Sequence, residues 1–272
     1  MNECRYVAAS GMLGNGIHEE SLRTAMELHP HFVAADAGST DAGPFALGHG
    51  VSAFPEEAIR RDLKSILKQT LPVKVPVLIG SVGTAGADVH VDAFMEIVRD
   101  VAEELGRPLR VAAIRSEQRK DFLLEMLEVG RIRALDPAPV ISAEVIKRSS
   151  RIVGMMGVEP LQAALTENVD LIVAGRCSDP ALYAAMPIMM GLPAGLAWHA
   201  GKVSECGTAV CERAGHGVIF GYVRPDELKS YTQKAKLGIN LVEHLGLSYY
   251  YSLSNKLFDY IHAGIPVLAS NL

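Results

Sequence analysis

Short apolar runs alternate with amphipathic stretches along most of this chain, and that alternation leaves few folds open. Residues 5–10, 31–35, 75–79, 109–114, 151–155 and 170–174 have the length and apolar content of buried strands. Between them lie helical patterns over 18–28, 55–69, 89–105 and 117–129, with Pro55 placed where its missing N–H costs nothing. A further apolar helix is expected over 181–190. Repeated strand–helix units with short polar turns predict an α/β fold: a mainly parallel sheet with helices on both faces, followed by a short α/β C-terminal segment. With 272 residues the chain is long enough for one large domain or two smaller ones.

The charge balance narrows the function. Lys and Arg total 26 against 31 Asp and Glu, a formal charge of −5. No basic patch is available to neutralise phosphates, so nucleic acid is not an expected partner. Cys4, Cys177, Cys206 and Cys211 form no CxxC pair and no zinc-finger spacing, and read as reduced thiols of a cytoplasmic protein. The start, MNECRY, has no basic segment leading into an apolar one, so no signal peptide is expected. Residues 180–200 hold no Asp, Glu, Lys or Arg over 21 positions, about the length of a membrane span. Pro180, Pro187 and Pro193 interrupt that stretch, and a helix-interior proline costs about 3 kcal/mol. A buried helix and a turn are therefore expected there, with no membrane partner.

Ligands of parallel α/β sheets bind outside the carboxyl ends of the strands, and those ends can be read directly. The first is Asp36-Ala-Gly-Ser39-Thr40-Asp41-Ala-Gly. It either cradles a polar substrate, with Asp36 or Asp41 as base or anchor, or bonds its own backbone as a turn. Gly80-x-x-Gly83-x-x-Gly86 could place an anion on a helix N-terminus, or form a tight turn capped by Asp88. It is neither GxGxxG nor a P-loop, and no motif identifies a cofactor. In Gly175-Arg176-Cys177-Ser178-Asp179, Arg176 can clamp a carboxylate, Ser178 or Asp179 can cap the next helix, and Cys177 is a candidate nucleophile. Beyond these, Lys202 and Glu205 stand beside Cys206 in what reads as a polar loop over the sheet. His199, Glu205 and Cys206 lack a diagnostic metal spacing, so no metal is assigned.

Composition changes near residue 226. All ten methionines and all four cysteines precede residue 212, and all sixteen arginines precede residue 225. The last 46 residues hold four lysines and five of the eight tyrosines. The contrast reads either as a local fluctuation, such as a Tyr-rich helix at a domain end, or, by preference, as a junction of two unrelated pieces near 225–229. The final Ile265–Leu272 reads as a strand entering a loop at the chain end, the pattern of a truncated domain.

The segments VAADAGSTDAGP, VDLIVAGRCSDPAL and GKVSECGTA make residues 5–226 resemble the acyclic terpene utilisation (AtuA-like) family. The matching positions are Asp36, Gly175 to Asp179, and Gly201-Lys202 with Glu205-Cys206-Gly207. The resemblance implies a cytoplasmic protein linked to catabolism of citronellol- or geraniol-type compounds, without an established reaction. The family continues beyond Asp226 into segments absent here, so residues 1–226 are expected to be an incomplete domain. Residues 227–272 are similar instead to the donor-binding half of GT-B glycosyltransferases. In that resemblance Asn255 and Lys256 open a helix facing a diphosphate, and Asp259 stands where an acid contacts the donor ribose. Too little of such an enzyme is present for transferase activity to be expected.

Together these readings give a protein that handles a small carboxylate or acyl molecule. Candidate catalytic residues are Asp36, Asp41, Cys177 and Glu205; candidate substrate-binding residues are Ser39, Thr40, Arg176, Asp179 and Lys202. The alternatives are a sugar-nucleotide-dependent glycosyltransferase and a non-catalytic subunit of a larger complex. A homo-oligomer is compatible with each.

Overall fold

The computed structural model describes residues 3–135 and 137–207, together with two short strands further on, Gly238–Asn240 and Val267–Ala269. The chain divides into two compact units, Met1–Tyr222 and Val223–Leu272.

The first unit is built on five parallel strands: β1 (Tyr6–Ser10), β2 (Phe32–Asp36), β3 (Val77–Gly80), β4 (Val111–Ile114) and β5 (Leu171–Ala174). Their order across the sheet is β1-β2-β3-β5-β4. Val33 pairs with Val77, Val77 with Leu171, and Leu171 with Val111, which sets the register across the centre. Every residue of β1, β2, β3 and β5 is buried. That is why these strands read as unbroken apolar runs rather than alternating ones. The α/β expectation holds.

Alternate side chains of each strand point to opposite faces, and each face has its own core. On one face Val7, Val33, Val77, Ile79 and Val173 meet α1 (Glu19–Met26), α3 (Glu56–Thr70) and α4 (Asp88–Glu104). Leu63, Ile66 and Leu67 recur on the inner side of α3 and are fully buried, each stabilising by about 1.5–3 kcal/mol. On the other face Tyr6, Phe32, Leu78 and Ile172 meet α7 (Glu159–Thr166), α8 (Asp179–Met189) and α9 (Ala194–Ser204). The remaining helices, α2 (Phe45–His49), α5 (Lys120–Glu128) and α6 (Ala143–Arg148), contribute one buried residue, Ile146.

Two expectations need correction. Residues 151–155 form no strand. They run across the strand ends instead: Gln118 N–H donates to Ile152 O at 2.8 Å, and Gly154 N–H donates to Ser116 O at 2.8 Å. The supposed polar loop around Lys202 is the end of α9, whose Ala197, Gly201 and Ser204 are buried. The apolar helix after Pro180 does form, with Pro187 inside it. Among the described residues no helix is long and apolar enough to cross a membrane.

In the second unit β6 (Gly238–Asn240) pairs in parallel with β7 (Val267–Ala269), Ile239 opposite Leu268. Asn255, Lys256 and Asp259 lie outside the described residues.

Candidate functional site

Strand order decides where a site can form. The chain leaves β3 into α4 on one face of the sheet and leaves the adjacent β5 into α8 on the other. Such a change of direction between neighbouring strands opens a crevice at their carboxyl ends. Here the loop 81–86 after β3 fills that crevice and joins the turns on either side. Ser81 N–H donates to Gly175 O at 3.0 Å, and Arg176 N–H donates to Gly86 O at 3.2 Å. On the β2 side, Ala37 N–H donates to Gly80 O at 2.8 Å and Thr84 N–H to Ala37 O at 3.3 Å.

Two glycines make this contact possible. A Cβ on Gly86, whose φ is +70°, would lie 2.1 Å from the Arg176 nitrogen, and one on Gly38 would lie 2.2 Å from Thr84 O. The Gly80–Gly86 segment is therefore a spacer holding the Asp36 and Arg176 turns together. The N-terminus of α4 already has an anion, because Asp88 N–H donates to the Glu117 carboxylate at 3.1 Å. Nor does Asp88 cap the helix. It is the first helical residue, and the buried His90 reaches back to accept from Ala87 N–H at 3.0 Å. Burial lowers the His90 pKa, which suits a neutral ring acting as acceptor.

Asp36 sits at the centre. It is 4% exposed; one carboxylate oxygen accepts from Gly38 N–H at 3.3 Å, and the other, Oδ1, is buried without a hydrogen-bond partner. Burial, with a further push from the Asp179 charge, raises its pKa to about 8, while the Gly38 N–H and the Arg176 guanidinium pull the other way. Asp36 thus holds its proton at neutral pH, where an ordinary carboxyl does not.

The partners come from distant segments. Asp179 opens α8, and its pKa is raised by burial, against the pull of Arg176 and Lys202. Arg176 is half-buried; its backbone is fixed on both sides, yet its Nη1 is buried without a hydrogen-bond partner. Lys202, in the last turn of α9, is hydrogen-bonded to Glu205, which is 8% exposed. Burial opposes the Lys202 charge, but that bond and the nearby Asp179 keep its pKa above the usual value. Residues 204–207 reach the sheet at the end of β1. The Tyr6 and Ser204 hydroxyls are 3.0 Å apart, and Cys206 O lies 2.2 Å from where a Gly11 Cβ would be.

The structure thus brings Asp36, Arg176, Asp179, Lys202 and Glu205 to one end of the sheet. Asp41 is exposed beside them and raises the Asp179 pKa. Ser39 is half-buried and Thr40 exposed. Ser39 Oγ accepts from Asp41 N–H at 3.1 Å, so the turn bonds its own backbone while Asp36 faces inward.

Cys177 is placed differently. It is fully buried, and burial raises its thiol pKa, the reverse of what a nucleophilic thiolate needs. Ser178 is the N-cap of α8 but makes no side-chain capping bond. Three contributors were not singled out from sequence. Ser81 and Ser116 are buried serines on the loops after β3 and β4. Tyr183, fully buried on α8, has its pKa raised well above the ordinary value, first by burial and then by Asp36. Among the described residues no three His, Cys, Asp or Glu side chains cluster as metal ligands.

The arrangement offers a buried carboxyl that favours its protonated form and an incompletely bonded guanidinium at the strand ends, with the exposed Lys202 ammonium at their edge. Such groups can bind a carboxylate or polarise an acyl oxygen, and Asp36 can give or take a proton. No curated protein and no solved structure matches the chain. The model of the acyclic terpene utilisation family protein AtuA matches residues 51–220, a span that includes Arg176, Asp179, Lys202 and Glu205. With well over half its length inside that match, the chain belongs to the AtuA acyclic terpene utilisation family.

Proposed function

We propose that this protein acts in the catabolism of citronellol- or geraniol-type terpenoids, binding a carboxylate or acyl intermediate at the strand ends that carry Asp36 and Arg176. One observation carries the reading: Asp36 Oδ1 and Arg176 Nη1 are both buried without hydrogen-bond partners at one site. Leaving such groups unsatisfied costs about 1–3 kcal/mol each, more when charged, and a bound carboxylate relieves both. Arg176 anchors the negative charge, Lys202 and Asp179 set the local field, and Asp36 donates a proton to the bound oxygen. Asp41, Ser39 and Thr40 form the exposed rim, and Glu205 holds Lys202 in place. Cys177 serves packing. The buried thiols of Cys4 and Cys177 fit a cytoplasmic location.

A second reading, membership of a larger complex, draws on exposed apolar side chains. Phe122, Val129, Leu135, Val140, Val145 and Met155 are all exposed, and α5 has no buried residue. In the second unit, the parallel pairing of β6 with β7 suits the strand–helix–strand arrangement of the glycosyltransferase resemblance.

Calorimetric titration with citronellate and with citronellol tests the main reading. We expect the native chain to prefer the acid, and Arg176→Met to weaken citronellate by at least about ten-fold while leaving the alcohol unchanged. Equal citronellate affinity in the native chain and the variant would overturn it.

A further inference from the structure

The guanidinium of Arg176 can select a carboxylate only if its backbone is held still, and two buried serines from different loops do this. Ser116 is 3% exposed at the end of β4. Its Oγ accepts from Arg176 N–H at 2.7 Å and donates to Gly86 O at 2.7 Å. One hydroxyl therefore ties the β5 turn to the loop after β3. Ser116 is itself fixed, since its carbonyl accepts from Gly154 N–H at 2.8 Å and from Gln118 Nε2 at 2.9 Å.

Ser81 holds the next peptide. It is fully buried with φ +51°, a left-handed conformation unusual for a residue with a Cβ. From there its Oγ donates to Cys177 O at 3.1 Å and accepts from Cys177 N–H at 3.3 Å. Met156 N–H completes the set by donating to Arg176 O at 3.0 Å. Every backbone polar group of residues 176 and 177 is thus bonded, whereas the Arg176 side chain keeps a buried nitrogen without a partner. Strain at Ser81 and two buried hydroxyls fix this dipeptide, with the one incompletely bonded group at its tip. That is the pattern of a preorganised binding residue.

We infer that Ser116, assisted by Ser81, is a positioning residue that aims the Arg176 guanidinium at a bound carboxylate. The inference rests on the carboxylate reading above. Without Ser116 Oγ, Arg176 N–H keeps only its longer bond to Gly86 O, and the turn is free to rock. The long arginine side chain amplifies small backbone rotations, so selectivity for the acid should fall before the fold does.

The test is calorimetric titration of the full chain with citronellate and citronellol, in native, Ser116→Ala, Arg176→Met and doubly substituted forms. Ser116→Ala should weaken citronellate by about ten-fold, the effect of one well-made hydrogen bond, and change citronellol by less than about two-fold. On the Arg176→Met background the serine substitution should have no further effect, because no guanidinium remains to be aimed. Should Ser116→Ala fail to fold, Ser116→Cys keeps the shape with a weaker hydrogen bond and should show the same selective loss in smaller degree. Native-like citronellate affinity in a folded Ser116 variant overturns the inference. So does an equal loss for both ligands, or a loss that persists on the Arg176→Met background. If Arg176→Met alone leaves citronellate unaffected, the carboxylate reading itself falls, and this role falls with it.

Discussion

Replacing Asp36 by Asn should make the protein more stable at neutral and alkaline pH. The carboxyl is raised from 3.8 to about 8 in the folded chain, chiefly by burial. Between those values the folded state keeps a proton that the unfolded state has lost, so stability falls as pH rises through the window and levels off above about 8. At about 1.4 kcal/mol per pH unit, a rise of about four units places the full loss at about 5–6 kcal/mol. Asn escapes this penalty but puts an amide where Oδ1 has no partner, at a cost of about 1–3 kcal/mol. A net gain of about 2–4 kcal/mol at pH 8 is expected, shrinking toward zero or reversing near pH 5.

Urea denaturation of both forms from pH 5 to 9 measures this. Subtracting the two curves removes the opposite contribution of His90, whose lowered pKa makes stability rise with pH as the unfolded state sheds its proton. A variant less stable than the native chain at pH 8, or a difference that does not grow from pH 5 to 8, would refute the reasoning. A stabilising change that abolishes ligand binding would show that Asp36 is kept for chemistry at the expense of stability.

Two further substitutions probe the scaffold. Gly86→Ala should destabilise by about 3 kcal/mol or more, because its Cβ meets the Arg176 nitrogen at 2.1 Å and its φ of +70° disfavours alanine; a denaturation midpoint within error of the native one would contradict this. Asp62→Ala should cost about 2–4 kcal/mol, since that carboxylate is 1% exposed and accepts from Gly14 N–H at 2.8 Å and Gly16 N–H at 2.9 Å. Hydrogen exchange at the Gly14 and Gly16 amides should accelerate with it, and unchanged exchange would remove Asp62 as the anchor of that loop.

Much of the fold was legible because its signals are local. Phe32 to Ala35 and Leu171 to Ala174 are buried on both faces, so their sequence is continuously apolar. Residues 151–155 carry a similar local signal in Ile152 and Val153, but their backbone partners are the strand-end residues Ser116 to Gln118. Helix α9 was obscured by Gly195 and Gly201. The second of these is required by packing, because a Cβ there would lie 2.5 Å from Pro180 O.

The strand ends were readable as site positions from the general behaviour of parallel sheets. Their coupling was not. Asp36 and Asp179 feel each other only because β3 and β5 are neighbours, with β4 outside them. Ser116 stands in a readable strand-end turn, but its role was not legible: a lone serine after a strand carries no signal until the loop it bonds is known.

The central claim is that a carboxylate binds where Asp36 and Arg176 meet. A crystal structure of the full chain with citronellate tests it most directly. The account predicts the carboxylate within about 3 Å of the Arg176 guanidinium, with one oxygen toward Asp36. Citronellate seated instead at the opposite end of the sheet, in the cleft of about 450 Å³ lined by Lys74, Arg107 and Arg110, would contradict it.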